Sequence, residues 1–168
     1  MSIARRLISI TGGELRPFKF TIRITSTNTQ FELPLTAPGG QQPNFTVDWG
    51  DGSGSTTITS ATSAGRFHTY SSTGDFQIII SGYCPGFNVN NYSNRLLYRS
   101  IDDWGQVQFE QIDFYGCSNL SSLPVDGSNN AILHDGLNTV KRFDSTFRQT
   151  GITTIPNGIF DYSSNATS

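Results

Sequence analysis

Three acidic side chains crowd one stretch of this chain. Asp48 and Asp51 flank Trp49-Gly50, and Asp75 follows Gly74. Carboxylates at such spacing can bind calcium when about six to eight oxygens converge on the ion. They can equally form turns, each accepting a nearby backbone N–H. No matching set of oxygen ligands accompanies them in the sequence, so turn formation is the expected role and no metal is expected. His68 has the chemistry of a metal ligand or general base. It stands alone, with no fixed spacing to the chain's other histidine, His134, and a structural contact is the expected role.

A second acidic group, Asp102, Asp103, Glu110 and Asp113, offers carboxylates of the type used in glycoside hydrolysis. That chemistry needs two of them held about 5–9 Å apart across a bond, and nothing in the sequence fixes such a gap. No G-x-S-x-G elbow is present, and Gly50, Gly52 and Gly54 do not lead into a helix as a phosphate-binding loop would. Cys84 and Cys117 lie outside any C-x-x-C pair, which removes the usual zinc pattern, and both are expected as reduced thiols. Tyr83, Phe87, Tyr92 and Tyr98 offer rings for a sugar-binding face, but aromatics in a small β domain mostly build core or interface. Asn44, Asn91, Asn119 and Asn165 each begin a glycosylation acceptor triplet and are expected to be unmodified. The expectation is therefore a protein that is not an enzyme, with no catalytic, cofactor-binding or metal-binding residues and no cofactor.

The elements that must hold these residues read as strands. Phe18, Phe20, Ile22 and Ile24 alternate with Lys19, Thr21, Arg23 and Thr25, a period of two with one buried face. Phe31, Leu33 and Leu35 alternate again, with Pro34 marking an edge strand. Phe45, Val47 and Trp49 point one way and run into a tight turn at Asp51-Gly52. A Ser/Thr-rich strand near 56–59 follows, then His68-Thr69-Tyr70 and a strand at Phe76–Ile80. After Tyr83-Cys84-Pro85-Gly86 the character changes. Phe114-Tyr115-Gly116-Cys117-Ser118-Asn119-Leu120-Ser121-Ser122-Leu123-Pro124 and Phe147-Arg148-Gln149-Thr150-Gly151-Ile152-Thr153-Thr154-Ile155-Pro156 share a pattern. Each has Phe, small polar residues, then apolar, two hydroxyl residues, apolar and Pro. This is an internal repeat of about 32 residues in about one and a half copies.

Composition sets the bounds. Charged residues make up 14% of the 168, with a formal net charge of −2, and Phe (12) and Tyr (6) supply much of the apolar bulk. No basic patch with interleaved aromatics argues for nucleic acid. No apolar run approaches the roughly 20 residues of a membrane helix. The apolar stretch Leu7–Ile10 after Arg5-Arg6 is short of the roughly 7–15 residues of a secretory signal, so export by the general secretory route is not expected.

Trp49-Gly50-Asp51-Gly52, then His68-Thr69-Tyr70, then Gly74 and an apolar strand resemble the PKD-type immunoglobulin-like domain. The resemblance implies a binding or structural module in which the His/Tyr pair is a contact beneath the turn. Trp104-Gly105 followed by Phe114–Pro124 and its partial copy resembles the repeat segment of BspA-like leucine-rich-repeat surface proteins. The expected fold is mainly β: an N-terminal arm (1–16), an immunoglobulin-like β-sandwich (17–83) and a short, irregular leucine-rich-repeat-like segment (84–168).

Surface modules without an export signal fit a phage virion protein, made in the host cytoplasm and released by assembly and lysis. The favoured expectation is a capsid decoration (cement) protein on the virion surface, bound to the major capsid protein or another virion protein. The alternative is an adhesion or carbohydrate-binding module of a phage tail or bacterial surface. Phe143, Phe147, Ile152, Ile155, Ile159 and Phe160 form an apolar set at the end of the repeats. With the apolar arm residues Ile3, Leu7, Ile8 and Ile10, they suggest a homo-oligomer, with a trimer expected.

Overall fold

The computed structural model describes residues 15–90, 92–126, 128–129, 137–141 and 146–159. The arm up to residue 14, His134, Phe143, Phe160, Asn91 and Asn165 lie outside the described residues.

The fold is mainly β. Its centre is β1 (Phe18–Ile24), whose alternating residues give the burial expected of one inward face, with Phe18, Phe20, Ile22 and Ile24 all inside. β1 pairs antiparallel with β7 (Gly74–Tyr83) in the register Phe20↔Ile78. β7 in turn pairs with β4 (Asn44–Asp48), and β4 with β5 (Ser55–Ile58). On its other edge β1 pairs with β9 (Tyr98–Asp103), giving a five-stranded antiparallel sheet in the order β5-β4-β7-β1-β9.

The β1–β9 register shifts between Lys19 and Phe20 and again between Thr21 and Ile22. Such irregularities turn a strand, and here Tyr98 and Ile101, three positions apart, are both buried.

The sequence 31–35 does not form one edge strand. It splits at Leu33-Pro34 into β2 (Thr29–Glu32), paired with β6 (Phe67–Tyr70), and β3 (Leu35–Thr36), paired with β8 (Gly86–Asn88). Proline has no N–H to give a ladder; the Pro34 carbonyl instead accepts from Asn88 N at 2.8 Å. β8 also runs parallel to β10 (Gln111–Asp113). The connection after β4 is not a two-residue turn either. Asp48 faces Ser55, so residues 49–54 form the loop.

The buried residues form one core that runs across the change in sequence character near residue 83. Phe18 meets Phe109 edge-on at 5.0 Å, and Phe20 lies 5.5 Å from both Phe87 and Tyr98. Trp104 is fully buried, and Gly105 makes its placement possible: with φ +62, it brings the backbone so close to β1 that a Cβ would lie 2.4 Å from the Pro17 carbonyl carbon. No described helix is long and apolar enough to cross a membrane.

Beyond β10 the chain stacks on itself. Phe114 N donates to Thr146 O (2.9 Å), and Gly116 N donates to Arg148 O (3.1 Å). The first rings of the two sequence repeats, Phe114 and Phe147, stack with centroids 6.5 Å apart and planes 3° from parallel. A parallel bridge joins Ser100 to Ser122, and Ile101 N donates to Ser122 O at 2.9 Å.

Candidate functional site

The loop 49–54 and β6 bring the first group of sequence candidates together. Asp48 Oδ1 accepts from Gly50 N at 2.9 Å, and Asp51 Oδ1 accepts from Ser53 N at 3.0 Å and Ser53 Oγ at 2.6 Å. Both are the side-chain-to-backbone turns that Asp favours. Gly50 has φ +78, and a Cβ there would lie 2.3 Å from the Gln77 carbonyl oxygen, so the loop lies directly against β7.

His68 reaches the loop from β6. Its Nε2 lies 2.7 Å from Asp51 Oδ2; an ionised carboxylate only accepts, so the ring donates. The imidazole stacks on Trp49 at 4.7 Å with planes 10° apart, and Tyr70 meets its edge at 4.7 Å. Tyr70 OH then donates to Trp49 O at 2.8 Å, and Trp49 Nε1 donates to Thr56 Oγ1 at 3.1 Å. Burial by itself would raise the Asp51 carboxyl, but the Ser53 hydroxyl, His68 and the Ser53 N–H outweigh it and lower it to about 2. Burial raises the Tyr70 phenol, helped by the charges of Asp51 and Asp48.

Asp75 does not join this group. It forms a two-point pair with Arg23 across β1 and β7, both contacts 2.6 Å, which lowers its carboxyl. Among the described residues no cluster of three or more His, Cys, Asp or Glu is placed to hold a metal ion.

The second acidic group is dispersed into separate bonds. Asp102 accepts from Thr21 Oγ1 (2.7 Å), Gln77 Nε2 (2.9 Å) and Ser100 Oγ (2.5 Å) on the sheet surface. Asp103 accepts from Gly105 N at 2.9 Å and faces Arg16 at 3.6 Å. Glu110 accepts from Lys141 Nζ at 2.9 Å and from Gln41 Nε2 at 2.5 Å. Asp113, mostly buried, accepts from Tyr115 N at 2.7 Å.

The four candidate sugar-binding rings do not make a surface platform. Phe87 and Tyr98 are core residues, Tyr92 packs partly buried against the core, and Tyr83 OH bonds to Gln41 Oε1. Cys84 and Cys117 are buried and unbonded to one another. Burial pushes both thiols up, Cys117 to about 12 with the Asp113 charge adding to the effect. Of the acceptor triplets, Asn44 lies on β4, and Asn119 uses its side-chain amide to donate to Leu96 O at 2.7 Å.

Some contacts that close the site had no local sequence signal. Thr56 and Ser53 belong to a run of hydroxyl residues in which none stands out, yet they anchor Trp49 and Asp51. Arg66, just before β6, bonds Glu32 of β2 at 2.9 Å and lies 4.6 Å over the ring of its neighbour Phe67.

No protein-family model, curated protein or solved structure matches the chain.

Proposed function

We propose that this chain is a non-enzymatic structural and binding protein of a phage virion, a decoration protein bound to the outside of the capsid. The observation that carries the reading is the closed unit of Trp49, Asp51, His68 and Tyr70. Its polar groups hold the loop to the sheet, through Asp51 to His68 and Tyr70 OH to Trp49 O. That arrangement suits the PKD-type immunoglobulin-like module that the motif resembles, with the His/Tyr pair beneath the turn. The stacked Phe114 and Phe147 coils suit the leucine-rich-repeat-like segment that follows it in BspA-like proteins. Modules of this immunoglobulin-like kind are frequent on phage capsids and tails.

In this reading the acidic residues weighed for metal binding or catalysis are structural. Asp48, Asp51, Asp75, Asp102, Asp103, Glu110 and Asp113 each accept hydrogen bonds within the chain. The major capsid protein or another virion protein is the partner, and neither nucleic acid nor membrane is. The test is addition of purified protein to bare capsids, beside a glycan array. Saturable co-sedimentation with capsids and a blank array are expected. Binding to a glycan without capsid binding would replace decoration by the adhesion reading.

A further inference from the structure

Gln41, in the loop between β3 and β4, has both ends of its side-chain amide engaged. Its Oε1 accepts from Tyr83 OH, and its Nε2 donates to Glu110 Oε1 at 2.5 Å. An ionised carboxylate only accepts, so the amide nitrogen must face Glu110 and the amide oxygen the phenol. The other oxygen of the same carboxylate, Oε2, accepts from Lys141 Nζ at 2.9 Å. One carboxylate thus holds an amine and an amide whose carbonyl oxygen already carries a donor. Backbone bonds set the members in place. Lys141 N donates to Glu110 O at 2.9 Å, Glu110 N to Pro85 O at 2.8 Å, and Gln41 N to Pro38 O at 3.1 Å. The Glu110 side chain is 17% exposed and that of Lys141 60%. The carboxylate is mostly out of water, while the flexible four-carbon stem of the lysine keeps room to move its amine. An ion pair with so exposed a lysine contributes little by itself, and it accounts for neither the amide nor the phenol.

We propose that these four residues form an intramolecular isopeptide bond between Lys141 Nζ and Gln41 Cδ. Glu110 takes a proton from the Lys141 ammonium. The neutral amine attacks Gln41 Cδ, the new C–N bond forms, and the carbonyl electron pair moves onto Oε1, where Tyr83 OH is placed to stabilise the charge. Glu110 gives its proton to Nε2 and takes the second proton from Nζ. The Cδ–Nε2 bond breaks, ammonia leaves, and Glu110 returns its last proton to solvent. No oxidant or other reactant enters. The event happens once per chain and on no outside substrate, so its product is structural and the non-enzymatic reading is unaffected. The bond would tie the loop after β3 to residues 137–141, far apart in sequence, and so remove loop-closure entropy from the unfolded chain. The proposal does not depend on the capsid, so failure of capsid binding leaves it standing.

Intact-mass spectrometry of the purified full chain, incubated at mildly alkaline pH, tests it. The wild type is expected to weigh less than its sequence by one ammonia, and peptide mapping should yield a branched peptide that holds both Gln41 and Lys141. Lys141→Arg keeps a positive charge opposite Glu110, but a guanidinium stays protonated and does not attack, so this variant should keep its full mass. Glu110→Gln keeps the size and loses the proton acceptor, and should slow the loss of ammonia by at least about a hundredfold. Lys19→Arg, at the chain's other lysine, should lose ammonia as the wild type does. A wild type at full mass would overturn the proposal. So would a loss of ammonia that persists in Lys141→Arg, which would place it elsewhere, for example in an imide at Asn157-Gly158. Mapping of the wild type alone decides the matter if a variant folds poorly: ammonia loss without the branched peptide would also overturn it.

Discussion

At the scale of single residues, one aromatic and one carboxylate hold the motif loop. Trp49 is 2% exposed, stacks on His68, and donates its indole N–H to Thr56. Trp49→Ala empties that volume and orphans the hydroxyl, and is expected to cost about 3–5 kcal/mol by denaturant unfolding. Asp51 makes a prediction in pH. Its carboxyl sits at about 2 in the folded chain against an ordinary 3.8. A depressed acid stabilises the fold fully above its unfolded value and loses that contribution as pH falls through its folded value. The melting temperature should therefore fall between about pH 4 and pH 2, and Asp51→Asn should make that fall shallower. Asp75, lowered by Arg23, keeps some slope in the variant. Since Asp48 and Asp51 are occupied by turn bonds, a strong chelator should leave the melting temperature unmoved. A drop restored by Ca²⁺ would require a metal site.

At the scale of elements, coil-on-coil contact depends on one small residue. At Gly151 a Cβ would lie 2.7 Å from the Ser118 carbonyl oxygen and 3.2 Å from that of Leu120. Gly151→Val should push the coils apart and cost about 1–3 kcal/mol. Hydrogen exchange should show it first at the Gly116 amide, which bonds across the coils to Arg148 O. The elements that were legible in sequence are those whose information is local. β1 announces itself by strict alternation, and the Asp48 and Asp51 turns by side chains that bond a few residues away. The pattern shared by 114–124 and 147–156 is legible because it is written in residue types, and the structure stacks its two leading rings, Phe114 and Phe147. β9 was not legible. Its irregular pairing with β1 places buried Tyr98 and Ile101 three apart, so the period of two is lost. β2 and β3 were merged for a related reason: alternation runs unbroken through Leu33, while the chain changes sheets at Pro34.

At the scale of the whole molecule, the change in sequence character near residue 83 does not mark a break in the core. Pairing of β9 with β1 joins residues far apart in sequence, and no local pattern reports such a contact. Phe18 shows the consequence, packing against Phe20 from its own strand and against Phe87, Trp104 and Phe109 from beyond residue 83. Removing the later residues would uncover the inner face of β1 and strip β9 from its edge. The two parts should therefore unfold as one unit, and the two tryptophans can report on it. Trp49 lies at the loop after β4 and Trp104 just after β9, both buried. Trp49→Phe and Trp104→Phe each leave one reporter, and each variant is followed by fluorescence and far-UV circular dichroism together. Within each variant the two signals should give the same midpoint, the signature of a cooperative transition. Comparing probes within one variant removes any stability difference between the two substitutions. A fluorescence transition displaced from the circular dichroism transition in either variant would show that the five-stranded sheet and the residues beyond β10 unfold separately.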